Sequence, residues 1–173
     1  MRFVPHNQAA MPHIVVDGGP NAHTLLTLSH WPRSGTPAEL KADTSAEIAF
    51  KYVDSPRLHV SCDAVTNNHF DQDGLIGAFA LIDTTNAARH RDLLIDVATA
   101  GDFGVFRSRD AARINFVVSA LSDPAISPLP KDLFRLPYPQ TAAELYVRML
   151  DLLPRLIRSR RLFDRYGKAR TMH

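Results

Sequence analysis

The sequence predicts an α/β fold, with a mostly parallel sheet flanked by helices and a helical C-terminal part. Three observations predict it. Short β-branched runs alternate with a helical pattern over the first half of the chain. Residues 75–82 are wholly apolar and read as a buried helix. Beyond residue 86 the pattern is helical, broken by a proline-rich stretch. A chain of 173 residues suits one domain spanning 1–173 with a sizeable core.

The elements follow in order. Residues 1–12 read as an irregular N-terminus punctuated by Pro5 and Pro12. Residues 13–17 form a strand that stops at the Gly18-Gly19-Pro20 turn, and residues 24–29 form a second. Proline and glycine make 30–37 a loop. Thr44, with Glu47 three residues on, is a capping box for a helix that Pro56 closes. Residues 57–65 read as a strand in which Leu58, Val60 and Cys62 alternate with polar neighbours. A loop over 66–74 leads into the apolar helix. Further helices are expected at 86–100, ended by Gly101, and at 110–121. Thr141 caps a last, basic helix over 141–170, with Leu145, Met149, Leu152 and Leu156 at helical spacing and Pro154 as a kink.

Net charge is only +2, so the whole chain is not built to bind a polyanion. The basic excess is local, between Arg155 and Arg170, and reads as a solvated helix face or a partner-docking helix. A lone cysteine, Cys62, excludes an internal disulfide and a Cys-rich zinc site, and it reads as a structural thiol. No apolar run reaches the length of a membrane span, and residues 1–12 lack a signal-peptide core. The expected address is cytoplasmic.

In a parallel sheet the ligand site lies beyond the carboxyl ends of the strands. That rule gathers Asp17-Gly18-Gly19, Ser29-His30-Trp31 and the loop from His69 to Gly74. In an extended loop His69, Asp71 and Asp73 share one side and Phe70 and Gln72 the other. One imidazole and two carboxylates converging on a point suit a divalent cation. Gly74 would let the backbone approach a bound phosphate. Asp17 and Asp102 are candidates to complete the ligand set, and Asp63, on its strand, to support it from behind. His30 could ligate the metal or protonate a leaving group, and His69 is a catalytic candidate as well as a ligand. An EF-hand is excluded, because its twelfth position, counted from His69, is Ala80 rather than Glu. The bland alternative makes Asp73 a helix N-cap and Asp71 a residue near a positive helix end.

The run from Asn68 to Ala78, containing His69-Phe70-Asp71-Gln72-Asp73-Gly74, resembles the first motif of the DHH phosphoesterase superfamily. There a strand delivers Asp-x-Asp into a helix rich in small residues. Upstream, Leu28-Ser29-His30-Trp31-Pro32 followed by Ala42-Asp43-Thr44-Ser45-Ala46-Glu47-Ile48 is similar to that family's DHH stretch and its later serine-rich helix start. Ser29 and Trp31 stand where the family has Asp and a second His, and the two motifs come in reversed order. The resemblance implies Mn2+ or Mg2+ and metal-assisted hydrolysis of a phosphodiester or phosphoanhydride, in a divergent or rearranged member. The partner would then be a phosphorylated small molecule or short oligonucleotide, with a homodimer possible. The alternatives are a non-catalytic metal- or nucleotide-binding domain, or an interaction module using the basic helix.

Overall fold

Four short strands and six helices make up the regular structure of residues 1–159, the residues that the computed structural model describes. The strands are β1 (Arg2–Phe3), β2 (His13–Val16), β3 (Thr24–Leu28) and β4 (Ala64–Thr66), in the spatial order β1-β4-β2-β3. Every pairing is parallel. The expected α/β class and helical C-terminal part are therefore what the chain adopts. β2 and β3 are joined by residues 17–23 with no helix between them. Parallel neighbours ordinarily need a longer crossover. Here the strands are short, and seven extended residues reach roughly 23 Å, enough to return to the start of β3.

The helices are α1 (Ser45–Val53), α2 (Gln72–Ile82), α3 (Thr84–Arg89), α4 (Arg91–Phe103), α5 (Arg109–Ser122) and α6 (Tyr138–Arg158). Thr44 caps α1 as its sequence indicates, its hydroxyl accepting from the Glu47 amide at 3.2 Å. The apolar segment is the central helix, α2. From Asp73 to Leu81 each of its residues is buried, because α1, α4, α6 and the strands β1, β2 and β4 surround it. This burial on all sides explains why the segment shows no helical periodicity. Gly77 makes the packing possible: a Cβ there would sit 2.4 Å from Val16 Cγ1 and 3.6 Å from the Ala46 Cα.

Several boundaries differ from the sequence reading. Residues 2–3, expected to be irregular, pair with β4 as an edge strand. The strand expected over 57–65 shrinks to Ala64–Thr66, because Pro56 starts a 3-10 turn and the chain bends again at Asp63. Residues 86–100 are not one helix but two, α3 and α4, which meet at His90. α4 runs past Gly101 to Phe103 and ends at Gly104 in the left-handed conformation, φ 68°. α6 begins three residues before Thr141, with Pro139 in its first turn. The Thr141 hydroxyl donates instead to the Leu133 carbonyl at 3.0 Å. The part of the expected basic helix beyond Ser159 lies outside the described residues. No helix among the described residues is long and apolar enough to cross a membrane.

Candidate metal centre

The carboxyl ends of β2, β3 and β4 feed one cluster. Asp17 follows β2 directly, in the left-handed region at φ 50°. Few residues adopt that conformation, and Asp is among the better ones, so its carboxylate turns back over the strand ends at modest cost. The Ser45 hydroxyl, at the start of α1, donates to Asp17 Oδ1 at 2.8 Å. His30 follows β3. Its Nδ1 lies 2.7 Å from the Asp43 carbonyl, and a carbonyl can only accept. Nδ1 therefore carries a proton, and Nε2 turns toward Asp17 and Asp102, at 3.7 and 3.8 Å. This tautomer is the one that a carbonyl-anchored metal-binding histidine uses.

The loop after β4 supplies the rest. His69 Nε2 lies 2.9 Å from Asp71 Oδ2 and 3.2 Å from Asp17 Oδ2. Asp71 is the N-cap of α2, its Oδ1 accepting from the Gly74 amide at 2.8 Å. Asp73 sits in the first turn, fully buried, and its two oxygens accept from the Ser45 and Ala46 amides at 2.7 Å each. The positive N-terminus of α1 thus holds the Asp73 carboxylate in place. Asp102, in the last turn of α4, reaches the cluster from the far side. Phe70 and Gln72 point away, although not by the expected alternation, because the extended chain ends at Asp71 and Gln72 already opens α2. Phe70 packs edge-on against Tyr146, and Gln72 donates to Asn115 Oδ1 and Ser119 Oγ of α5 at 2.6 and 2.7 Å.

The ligand atoms of Asp17, His30 and Asp73 lie within 4.8 Å of one another, and so do those of Asp17, His69 and Asp71. Asp17 belongs to both sets. Two nitrogens and several carboxylate oxygens form a donor set suited to a hard or borderline divalent cation.

The electrostatics point the same way. Burial raises Asp17, with the Asp71 charge adding to it. It raises Asp73 well above the usual carboxylate range, and the charges of Asp17 and Asp102 push further. Asp102 rises to about 6, through burial and then the charges of Asp71 and Asp17. For His69 burial works downward, but the hydrogen bonds to Asp17 and Asp71 outweigh it and lift the imidazole to about 10. Burial would raise Asp71, yet the hydrogen bond and charge of His69 hold it low. In the metal-free protein a protonated His69 thus stands where positive charge is needed.

Two expected site residues fall elsewhere. Asp63 cannot support the centre, because β4 starts only at Ala64 and Asp63 therefore lies at the amino end of the sheet, opposite the cluster. Its side chain is 81% exposed and faces Arg2 at 3.9 Å. Gly74 does not present its amide to a phosphate, because that amide is spent on Asp71. What passes close to Gly74 is the protein itself: a Cβ would meet Asn67 Nδ2 at 2.2 Å and the Tyr146 hydroxyl at 2.4 Å. Asp73, read as a possible N-cap, is not one, since Asp71 takes that role.

Sequence reasoning missed Ser45, Asn67 and Tyr146. Ser45 had a signal, because a residue just after a helix cap offers both an amide and a hydroxyl. Tyr146 had none, as it arrives from α6 and is fully buried against Phe3 and Phe70. Burial and the nearby Asp71 and Asp17 charges push its hydroxyl well above the ordinary phenol range.

With the geometry established, the family match covers nearly the whole chain. The chain belongs to the DUF6687 family. The family's model matches residues 1–169, and the family is described as one of unknown function. No curated protein and no solved structure matches the chain.

Proposed function

We propose that the chain is a divalent-metal-dependent hydrolase of the phosphoesterase type, acting on a phosphodiester or phosphoanhydride and using Mn2+ or Mg2+. One observation carries the reading: Asp17 is shared between two ligand sets, Asp17-His30-Asp73 and Asp17-His69-Asp71, at the carboxyl edge of a parallel sheet. When bound, a divalent cation at this edge would acidify a water and neutralise phosphoryl charge. The chain's own residues hold and orient. The Asp43 carbonyl fixes the His30 tautomer, the α1 amides fix Asp73, and Ser45 fixes Asp17. With Nδ1 committed to the Asp43 carbonyl, Nε2 is the nitrogen that His30 would offer to a cation.

The resemblance to DHH phosphoesterases supports this reading despite the reversed motif order. A site assembled from the ends of parallel strands depends on which strands are neighbours, not on the order in which the chain visits them. β4, which delivers Asp71 and Asp73, lies beside β2, which delivers Asp17.

The test is a calorimetric titration of the chelator-treated full chain with Mn2+, with hydrolysis assayed on bis-p-nitrophenyl phosphate and pyrophosphate. Asp17→Asn is the diagnostic variant, since Asn also tolerates the left-handed backbone. Specific binding and turnover should both be lost in the variant. Absence of stoichiometric binding to the wild type would refute the reading, and binding without turnover would leave a metal-binding domain in its place.

A further inference from the structure

Trp31 adjoins the centre and belongs to neither ligand set. Trp31 follows His30 directly, and its ring stacks on the His69 imidazole with centroids 5.3 Å apart and planes 28° from parallel. The residue nevertheless keeps 42% of its surface exposed, whereas Asp17 and Asp73 are buried. Isolated surface aromatics are ordinary and call for no explanation. Trp31 differs in being held. The Trp31 amide donates to Ser29 Oγ at 3.3 Å, and the Ser34 amide donates to the Trp31 carbonyl at 3.2 Å. The Ser34 hydroxyl donates to the Ser29 carbonyl at 2.8 Å, and the Ser29 amide donates to Thr36 Oγ1 at 2.8 Å. Arg33, inside the same turn, takes the left-handed conformation at φ 61°, a strained choice for a long side chain. A wet, stacked indole is thus displayed on a locked loop at the lip of a carboxylate centre.

We infer that Trp31 is a stacking platform for the base of a nucleoside phosphate whose phosphate is drawn to the adjacent centre. The inference rests on the phosphoesterase reading and narrows its substrate class. A phosphoryl group at a cation held by Asp17, His69 and Asp71 lies next to the imidazole that Trp31 covers. Whatever is esterified to that phosphate has the indole within one sugar's reach. Every base offers a flat π-face, so stacking on an aromatic side chain recognises nucleotides as a class, with little preference among them. Because the loop is already ordered, little conformational entropy is lost on binding.

Trp31 is the only tryptophan in the chain, so its fluorescence reports this position alone. The experiment titrates the Mg2+-loaded full chain with adenosine 5′-monophosphate, ribose 5-phosphate and inorganic phosphate, by fluorescence for the wild type and by calorimetry for all variants. Adenosine 5′-monophosphate should quench Trp31 saturably and bind about 5- to 150-fold more tightly than ribose 5-phosphate, the range of one base stacked on an aromatic ring. Trp31→Leu should erase that advantage while leaving inorganic phosphate and Mg2+ binding unchanged, and Trp31→Phe should keep most of it. Equal affinity of the wild type for the nucleotide and the sugar phosphate overturns the inference and leaves the phosphoesterase reading intact, as does a preference that survives in Trp31→Leu. Failure to bind either Mg2+ or inorganic phosphate overturns both.

Discussion

Consider His69→Asn in chelator-treated protein. His69 lies between Asp17 and Asp71, with only 24% of its side chain exposed, and its imidazole is raised from 6.5 to about 10. The sign follows from that direction. A group whose folded-state value is raised contributes stability that is full below its unfolded value, here 6.5, and lost as pH climbs through about 10. Linkage over this interval gives about 4 kcal/mol at pH 7, declining by about 1.4 kcal/mol per pH unit to less than about 1 kcal/mol at pH 9.5. Asparagine keeps a polar side chain but cannot carry the charge, so it forfeits this contribution. Urea denaturation of both proteins at pH 6, 8 and 9.5, with chelator throughout, measures the gap directly. Groups remote from the cluster are common to the two proteins and cancel to first order; Asp17 and Asp71 do not, because both lose the hydrogen bond that His69 supplies. The gap should be widest at pH 6 and nearly closed at pH 9.5. A gap independent of pH, or one that widens with it, would refute the claim that a protonated His69 occupies the cation's place.

Two further outcomes follow from packing. Gly77→Ala should destabilise the fold by about 1–3 kcal/mol, the usual cost of overpacking, because its Cβ would press on Val16. Val16 precedes Asp17, so Mn2+ affinity measured by calorimetry should fall with it, and an unchanged melting temperature would contradict the close approach of α2 to β2. Asp63→Ala should change stability by no more than about 0.5 kcal/mol and leave metal binding intact. A loss of metal affinity in that variant would mean that the opposite end of the sheet communicates with the centre.

The class of fold was legible because its causes are local. The run from His13 to Val16 is β-branched, Thr44 and Glu47 mark a helix start, and the segment after Gly74 is too apolar to be anything but core. The convergence of Asp17, His30 and the loop after β4 followed from one topological rule and needed no long-range information. Asp63 failed for a physical reason. Alternation of Leu58, Val60 and Cys62 imitates a strand, and all three do pack on the core, but Pro56 and the 3-10 turn decide the backbone there. Gly74 was recognised as a place of close approach, and only the identity of what approaches was hidden. Tyr146 lies 72 residues beyond Gly74 in sequence, and Trp31 reaches His69 across 38. Such encounters are set by how helices and loops settle on the sheet, which no local pattern encodes.

The conformation of Asp17 constrains more than its own position. A residue there must accept a left-handed backbone and also bring negative charge to the junction of two ligand sets. β-branched residues fail the first demand and long ones meet it only under strain, as Arg33 does, while glycine and asparagine fail the second and glutamate would carry its charge one methylene too far from the Ser45 hydroxyl. Aspartate alone meets both conditions. On the proposed reading, a relative that did not bind a cation would be released from one of them and free to place asparagine or glycine at this turn, so this single position would report whether the proposed site is kept.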